Sequence, residues 1–233
     1  MEQNKYGAVV LAAGSGSRMR SKTAKQYMLL NGKPLIYYAL AQFQASAVEK
    51  IVLVVSAGQE SYCQKEIVER YGFTKVCAVV FGGSERYHSV YAGLQAIDGV
   101  DYVLIHDGAR PCITQSVLER TMRTVAEKGA CVVGMPVKDT IKIVDAHAVA
   151  CETPDRRTLW QVQTPQAFSY QLIRDAYECV IASGRTDVTD DAQVLELAFQ
   201  KKCQLIEGSY QNIKVTTPED IDIAGLFLEK AEQ

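Results

Sequence analysis

The chain of 233 residues carries 25 Lys+Arg against 27 Asp+Glu, a formal charge of −2, which excludes a generally basic nucleic-acid binder. Apolar residues make up 48% and charged residues 22%, the balance of a domain that buries a core, so wholesale disorder is excluded too. Apolar runs such as residues 8–13 fall far short of the roughly 18 residues of a membrane span, and the N-terminal residues lack a signal-peptide layout, so a cytoplasmic protein without a membrane partner is expected.

In chain order, continuous apolar runs at 6–13, 51–56, 76–81, 102–106 and 131–137 read as strands covered on both faces. Between them, 34–46, 59–71, 85–97 and 115–128 have helix length and pattern. Val90, Leu94 and Ile97 fall at i, i+4, i+7, and Val117 or Leu118 with Met122 and Val125 form a similar stripe. This order predicts an α/β fold with a mainly parallel, doubly wound sheet, in which ligands sit beyond the carboxyl ends of the strands.

The rhythm breaks after Pro136. Residues 138–162 alternate β-forming residues with turn-like polar groups and read as a projecting β arm. Such an arm has little core of its own, so a dimer formed through it is expected. Helices follow at 170–183 and 190–200, then a strand at 203–207. A last helix starts at Thr217 as N-cap, with Pro218 first and Glu219 and Asp220 in its first turn. No linker or repeat interrupts the chain, so a single domain spanning 1–233, with 138–162 as its arm, is expected.

Seven cysteines show no Cys-x-x-Cys or zinc spacing and read as reduced thiols, mostly small core residues. With His88, His106 and His147 the only histidines, and no Gly-x-Ser-x-Gly elbow, a hydrolase triad is disfavoured.

The strongest local signal is Leu11-Ala12-Ala13-Gly14-Ser15-Gly16-Ser17-Arg18-Met19, directly after the first strand. Glycines there let the backbone turn sharply and aim N–H groups at phosphate oxygens. Met19 stands where a dinucleotide-binding loop needs its third glycine, and no Walker A pattern is present. Arg18 and Lys25 supply the cations that a triphosphate requires. Next, Gly82-Gly83-Ser84-Glu85-Arg86 runs from a strand into a helix. Its glycines with Ser84 and Ser89 suit a nucleobase edge, and Ser84 equally fits a helix N-cap. His106-Asp107-Gly108-Ala109-Arg110-Pro111 ends a strand. Asp107 there suits either a hard cation such as Mg²⁺ or an ion pair with Arg110 that shapes the loop, and His106 suits a structural or ribose-side role. Further on lie Thr140, Arg156-Arg157, Gln163-Thr164-Pro165-Gln166-Ala167-Phe168, Thr189-Asp190-Asp191, and Asn212-Ile213-Lys214-Val215. Singly these have bland readings: Thr189 fits a helix cap, and the arm charges fit solvent.

Taken together and in order, these motifs resemble those of the 2-C-methyl-D-erythritol 4-phosphate cytidylyltransferases of the non-mevalonate isoprenoid pathway, over nearly the whole chain. The resemblance implies a nucleotidyltransferase sheet with a dimerising arm, CTP and methylerythritol phosphate as substrates, a requirement for Mg²⁺, and CDP-methylerythritol and pyrophosphate as products. It implies that Gly14, Ser15 and Gly16 hold the CTP phosphates, with Ala13 also in the nucleotide site. Gly82, Gly83 and Ser89 would lie around the cytosine, and Arg18 and Lys25 would stabilise charge at the α-phosphorus. Asp107 would contact the metal or substrate hydroxyls, with Arg110 buttressing its loop. Thr140, Arg156, Thr164 and Lys214 would receive methylerythritol phosphate. Arg156 is chosen over Arg157 by its spacing to Leu159-Trp160. Leu11 departs from the family's frequent proline. The nearest rival is a ribitol 5-phosphate cytidylyltransferase; Asp-Gly-Ala-Arg-Pro and Gln-Thr-Pro-Gln-Ala-Phe favour methylerythritol phosphate. A non-catalytic nucleotide-binding protein is disfavoured because the cations and Asp107 occur together.

Overall fold

A computed structural model of the chain describes residues 4–14 and 24–231. In chain order it contains β1 (Tyr6–Ala12), the short hairpin β2 (Leu29–Leu30) and β3 (Lys33–Pro34), α1 (Leu35–Ala45) and β4 (Val48–Val55). Then come α2 (Glu60–Tyr62), which continues as a π-helical segment Cys63–Glu69, β5 (Val76–Phe81), α3 (Arg86–Ala96) and β6 (Tyr102–Asp107). After α4 (Gln115–Lys128) and β7 (Ala130–Pro136) the arm carries β8 (Ile143–Val144) and β9 (Ala150–Glu152). The chain ends with β10 (Trp160–Ser169), α5 (Tyr170–Ala182), α6 (Asp191–Phe199), β11 (Gln204–Glu207) and α7 (Pro218–Ala231).

Among the described residues seven strands form one sheet in the order β11-β7-β10-β6-β1-β4-β5. All run parallel except β10, which lies antiparallel between β6 and β7. Alternation along β1 explains the burial of both faces. Ala8 and Val10 face a core with Ile36, Leu40 and Phe43 from α1 and Leu118 and Met122 from α4. Val9 faces the other, with Val90 and Leu94 from α3 and Phe168 and Tyr177. Each fully buried side chain of this size contributes about 2–3 kcal/mol. α4 stops at Gly129, whose φ of 77° lets its N–H close on the Val125 carbonyl.

From β1 the chain moves outward to β4 and β5, then returns to place β6 on the other side of β1. The crevice at this reversal is where open α/β sheets bind ligands.

β10 departs from the sequence expectation, which put residues up to 162 in the arm. The strand begins at Trp160 and runs through the cis Thr164-Pro165 bond, with its register broken between Val162 and Gln166. Its buried polar residues find partners: Gln163 donates to the Ser209 carbonyl, while Gln166 donates to Asp190 and accepts from the Ala192 amide. Hydrogen bonding replaces the apolar signal of a buried strand.

The arm is built as a twisted hairpin, with Ile143 opposite Glu152 and Val144 opposite Ala150. Asp145 makes its turn by accepting from the amides of His147 and Val149. Ile141, Ile143, Val144, Val149, Trp160 and Val162, in and beside the arm, are 37–59% exposed. Cysteine placement corrects another expectation: Cys63, Cys112 and Cys131 are buried, but Cys77, Cys151 and Cys179 are exposed. Among the described residues no helix is long and apolar enough to cross a membrane.

Candidate active site

At the carboxyl ends of β1 and β6 a cleft is lined by Leu11 to Gly14, Lys25, Gln26, Gly83 to Arg86, Ser89, Asp107, Ala109 and Lys214. A larger open hollow lies at the opposite ends of the strands, around Lys5, Asp101 and Tyr170, but it does not gather the cations found in the cleft.

Backbone contacts shape the cleft first. The Gly108 amide donates to the Leu11 carbonyl at 2.8 Å, joining the ends of β6 and β1. A Cβ on Gly108 would come within 2.2 Å of Ile36 Cδ1 and 2.9 Å of that carbonyl. Gly82 is equally confined, since an added Cβ would meet Ser89 Oγ at 2.4 Å and Ala13 Cβ at 2.8 Å. Ser89 is buried and its hydroxyl donates to the Glu85 carbonyl. Ser84 does not cap α3; Glu85 takes that position, and Ser84 Oγ instead meets His88 Nδ1 at 3.3 Å.

Lys25 lies on a short 3-10 turn, and its Nζ donates to the Val215 carbonyl at 3.0 Å. Gln26, buried beside it, donates to the Ala12 carbonyl at 2.6 Å. These bonds tie the Lys25 turn to β1 and to the segment carrying Lys214. Ser15, Gly16 and Arg18 lie outside the described residues.

Asp107 is 7% exposed and sits between two cations. Lys214 Nζ is 2.6 Å from Oδ2 and Arg86 Nε is 3.3 Å from Oδ1. Burial alone would raise this carboxyl, but Arg86 and then Lys214 outweigh it and hold the group well below the usual carboxylate range. The expected Asp107–Arg110 ion pair is replaced: Arg110 Nη1 donates to the Asn212 carbonyl at 2.8 Å. Arg110 still braces the loop, because its amide closes on the Asp107 carbonyl and Asn212 donates to the Thr164 carbonyl at 2.9 Å.

Thr164 lies beneath this carboxylate. Its hydroxyl accepts from the Asp107 amide at 3.0 Å and faces His106 Nδ1 at 3.0 Å. The hydroxyl proton therefore goes to Nδ1, leaving His106 Nε2–H to donate to the Arg110 carbonyl at 3.2 Å. His106 is fully buried, which pushes its pKa down to about 4. A neutral ring with both nitrogens engaged is a structural strut, so the ribose-side reading is replaced.

Thr140 and Arg156 stand apart. Both are exposed on the arm, neither lines this cleft, and Arg156 Nη1 donates to the Lys138 carbonyl.

Mg²⁺ favours an octahedral set of hard oxygens. Both Asp107 oxygens already face cations, and Asp191 is held by Arg86 and Tyr177. Among the described residues no cluster of three or more His, Cys, Asp or Glu side chains is suited to a metal. This donor set does not fit a Mg²⁺ held by the protein through Asp107.

Sequence reasoning passed over Arg86 and Asp191. Arg86 Nη1 and Nη2 donate to the two oxygens of fully buried Asp191, both at 2.8 Å. Each lay inside a quoted motif, but only the fold brings α3 and α6 together. Asp190, not Thr189, caps α6, accepting from the Gln193 amide. Thr189 instead donates to Gln193 Oε1.

Residues 7–230 match the family model described as IspD, 2-C-methyl-D-erythritol 4-phosphate cytidylyltransferase. A protein of that name from Lachnospira eligens is 50% identical over 224 residues, covering 95% of this chain and 98% of the relative. One from Lachnoclostridium phytofermentans is 46% identical, covering 97% of each. Among solved structures, the 4-diphosphocytidyl-2C-methyl-D-erythritol synthase of Anaerococcus prevotii is similar with a TM-score of 0.84 at 33% identity, covering 97% of this chain and 96% of that one.

Proposed function

The chain belongs to the 2-C-methyl-D-erythritol 4-phosphate cytidylyltransferase family, and from that membership we propose that it transfers the cytidylyl group of CTP to 2-C-methyl-D-erythritol 4-phosphate in the cleft at the ends of β1 and β6. The observation that carries this reading is the convergence of Lys25 and Lys214 on one cleft, with Asp107 held ionised between Lys214 and Arg86.

The chemistry suits that inventory. A phosphate monoester with a second pKa of about 6 is already largely anionic near neutrality, so its oxygen needs no general base. That oxygen attacks the α-phosphorus in line. A new P–O bond forms, the bond from the α-phosphorus to its bridging oxygen breaks, and pyrophosphate leaves with the electron pair. The main catalytic work is to position two anions and stabilise their charge. His106, neutral and sealed between Thr164 and the Arg110 carbonyl, has no part in proton transfer. Lys25, together with Arg18, meets charge growing at the α-phosphorus. Gly14 and its neighbours receive the phosphates, and Ala13, Gly83 and Ser89, which line the cleft, form the slot for the cytosine, with Gly82 packed closely behind Ser89 and Ala13.

Lys214, held in place by Asp107, receives the acceptor phosphate, while Asp107 faces substrate hydroxyls. Mg²⁺ enters as part of the substrate, as Mg·CTP, and offsets triphosphate charge. The exposed apolar arm supports a homodimer in which the arm of a second copy brings Arg156 and Thr140 to the acceptor.

The test crosses each nucleoside triphosphate with methylerythritol phosphate and ribitol phosphate and measures pyrophosphate release. The expected result is a preference for CTP with methylerythritol phosphate. A preference for CTP with ribitol phosphate would overturn the acceptor assignment.

A further inference from the structure

Arg86 stands at the first position of α3, directly after the glycine turn, and lines the same cleft as Asp107. Its guanidinium uses all three of its nitrogens. Nη1 and Nη2 form a two-pronged contact with Asp191, both at 2.8 Å, and Nε reaches Asp107 Oδ1 at 3.3 Å. Asp191 is itself fixed, because it is fully buried and accepts from the Tyr177 hydroxyl at 2.5 Å. Tyr177 is fully buried as well. The segment that offers Asp191 is anchored to the sheet through Asp190 and Ala192, both bonded to Gln166 of β10.

Such a two-pronged contact fixes a guanidinium in plane and rotation as a lysine ammonium cannot. The direction of Arg86 Nε is therefore dictated by Asp191, and Nε meets the carboxylate oxygen that Lys214 leaves. Arg86, Asp191, Asp107 and Lys214 form a chain of two cations and two carboxylates whose charges cancel, which makes its burial tolerable. Resting on the cytidylyltransfer reading, we propose that Arg86 is a positioning residue for that reaction: held by Asp191, it sets the orientation of the Asp107 carboxylate in the cleft. The last residues of the Gly-Gly-Ser-Glu-Arg and Thr-Asp-Asp motifs, Arg86 and Asp191, then deliver the two halves of that grip.

A clamp that merely joins α3 to α6 would contain the same Arg86–Asp191 contact, so the test separates the two by coupling to Asp107. Steady-state transfer is measured for wild type, Arg86→Lys, Asp107→Asn and the double variant, with circular dichroism and thermal melts on each. The expected loss in kcat/KM for Arg86→Lys is about 100-fold, the scale of a misplaced catalytic group. Its split between kcat and KM should copy that of Asp107→Asn. In the Asp107→Asn background the same change should cost less than about 3-fold, because the group it positions has lost its charge. Equal losses in both backgrounds would overturn the inference. If Arg86→Lys fails to fold, Asp191→Asn keeps the arginine and loosens its grip; it should cost about 10-fold alone and nothing further beside Asp107→Asn. Again, equal costs overturn the proposal. A folded wild type that transfers no cytidylyl group would refute the assigned reaction itself, an outcome distinct from additive losses in an active enzyme.

Discussion

Substituting His106 by Gln removes a buried titratable ring that links Thr164 to the Arg110 carbonyl. Burial depresses the folded-state pKa from 6.5 to about 4. As pH falls the unfolded chain takes up this proton first, so the stabilisation is complete above about 6.5 and is lost progressively down to about 4. At pH 5 the gap between unfolded pKa and pH is about 1.5 units, which at about 1.4 kcal/mol per unit amounts to about 2 kcal/mol. Urea denaturation of wild type and variant at pH 7 and pH 5 measures it, because the difference between the two proteins isolates the side chain replaced. His106→Gln should be less stable at pH 7 by about 1–3 kcal/mol, the cost of disturbed buried hydrogen bonds. Its loss of stability between pH 7 and pH 5 should be smaller than that of wild type by about 2 kcal/mol. Equal losses in the two proteins would refute the assignment of a buried neutral ring.

Lys25→Ala or Arg18→Ala should lower kcat far more than it raises the KM for CTP, because the charge these groups meet grows in the transition state; a raised KM with near-normal kcat would remove them from that role. Gly82→Ala should push Ser89 aside and raise the KM for CTP about tenfold, about 1.4 kcal/mol, with kcat at saturation changed less; an unchanged KM would show that the slot does not hold the base. Mixing inactive Lys25→Ala and Arg156→Ala proteins under conditions of subunit exchange should restore up to about a quarter of wild-type activity if the arm serves a partner's cleft, since half the dimers are mixed and one of their two sites is intact. Activity no higher than that of the separate variants would place the arm's arginine in its own chain's site or in none.

Much of the scaffold was legible because its strands are continuous apolar runs covered on both faces, a signal that needs only local residues. Residues 76–81 and 115–128 coincide with β5 and α4 at both ends, and other boundaries differ by a few residues. β10 was not legible beyond its first residues. Gln163, Thr164 and Gln166 are polar, and their burial is satisfied by Ser209, His106, Asp190 and Ala192, residues that sequence does not place nearby. Lys25 could be singled out because a triphosphate requires cations beside its glycine loop, Asp107 because a carboxylate at a strand end suits a ligand-bearing crevice, and Lys214 only through the resemblance of its motif.

By itself the sequence determined the alternation of elements and the supply of cations and carboxylates, because each depends on residue type and short spacing. Tertiary structure alone decided how those charges pair. Asp107 takes Lys214 and Arg86 instead of Arg110, which lies only three residues away in sequence, because β6 ends facing both the start of α3 and the segment after β11. Ion pairing depends on distances of a few ångströms, and those are fixed by the packing of α3, α6 and the 208–217 segment around one sheet.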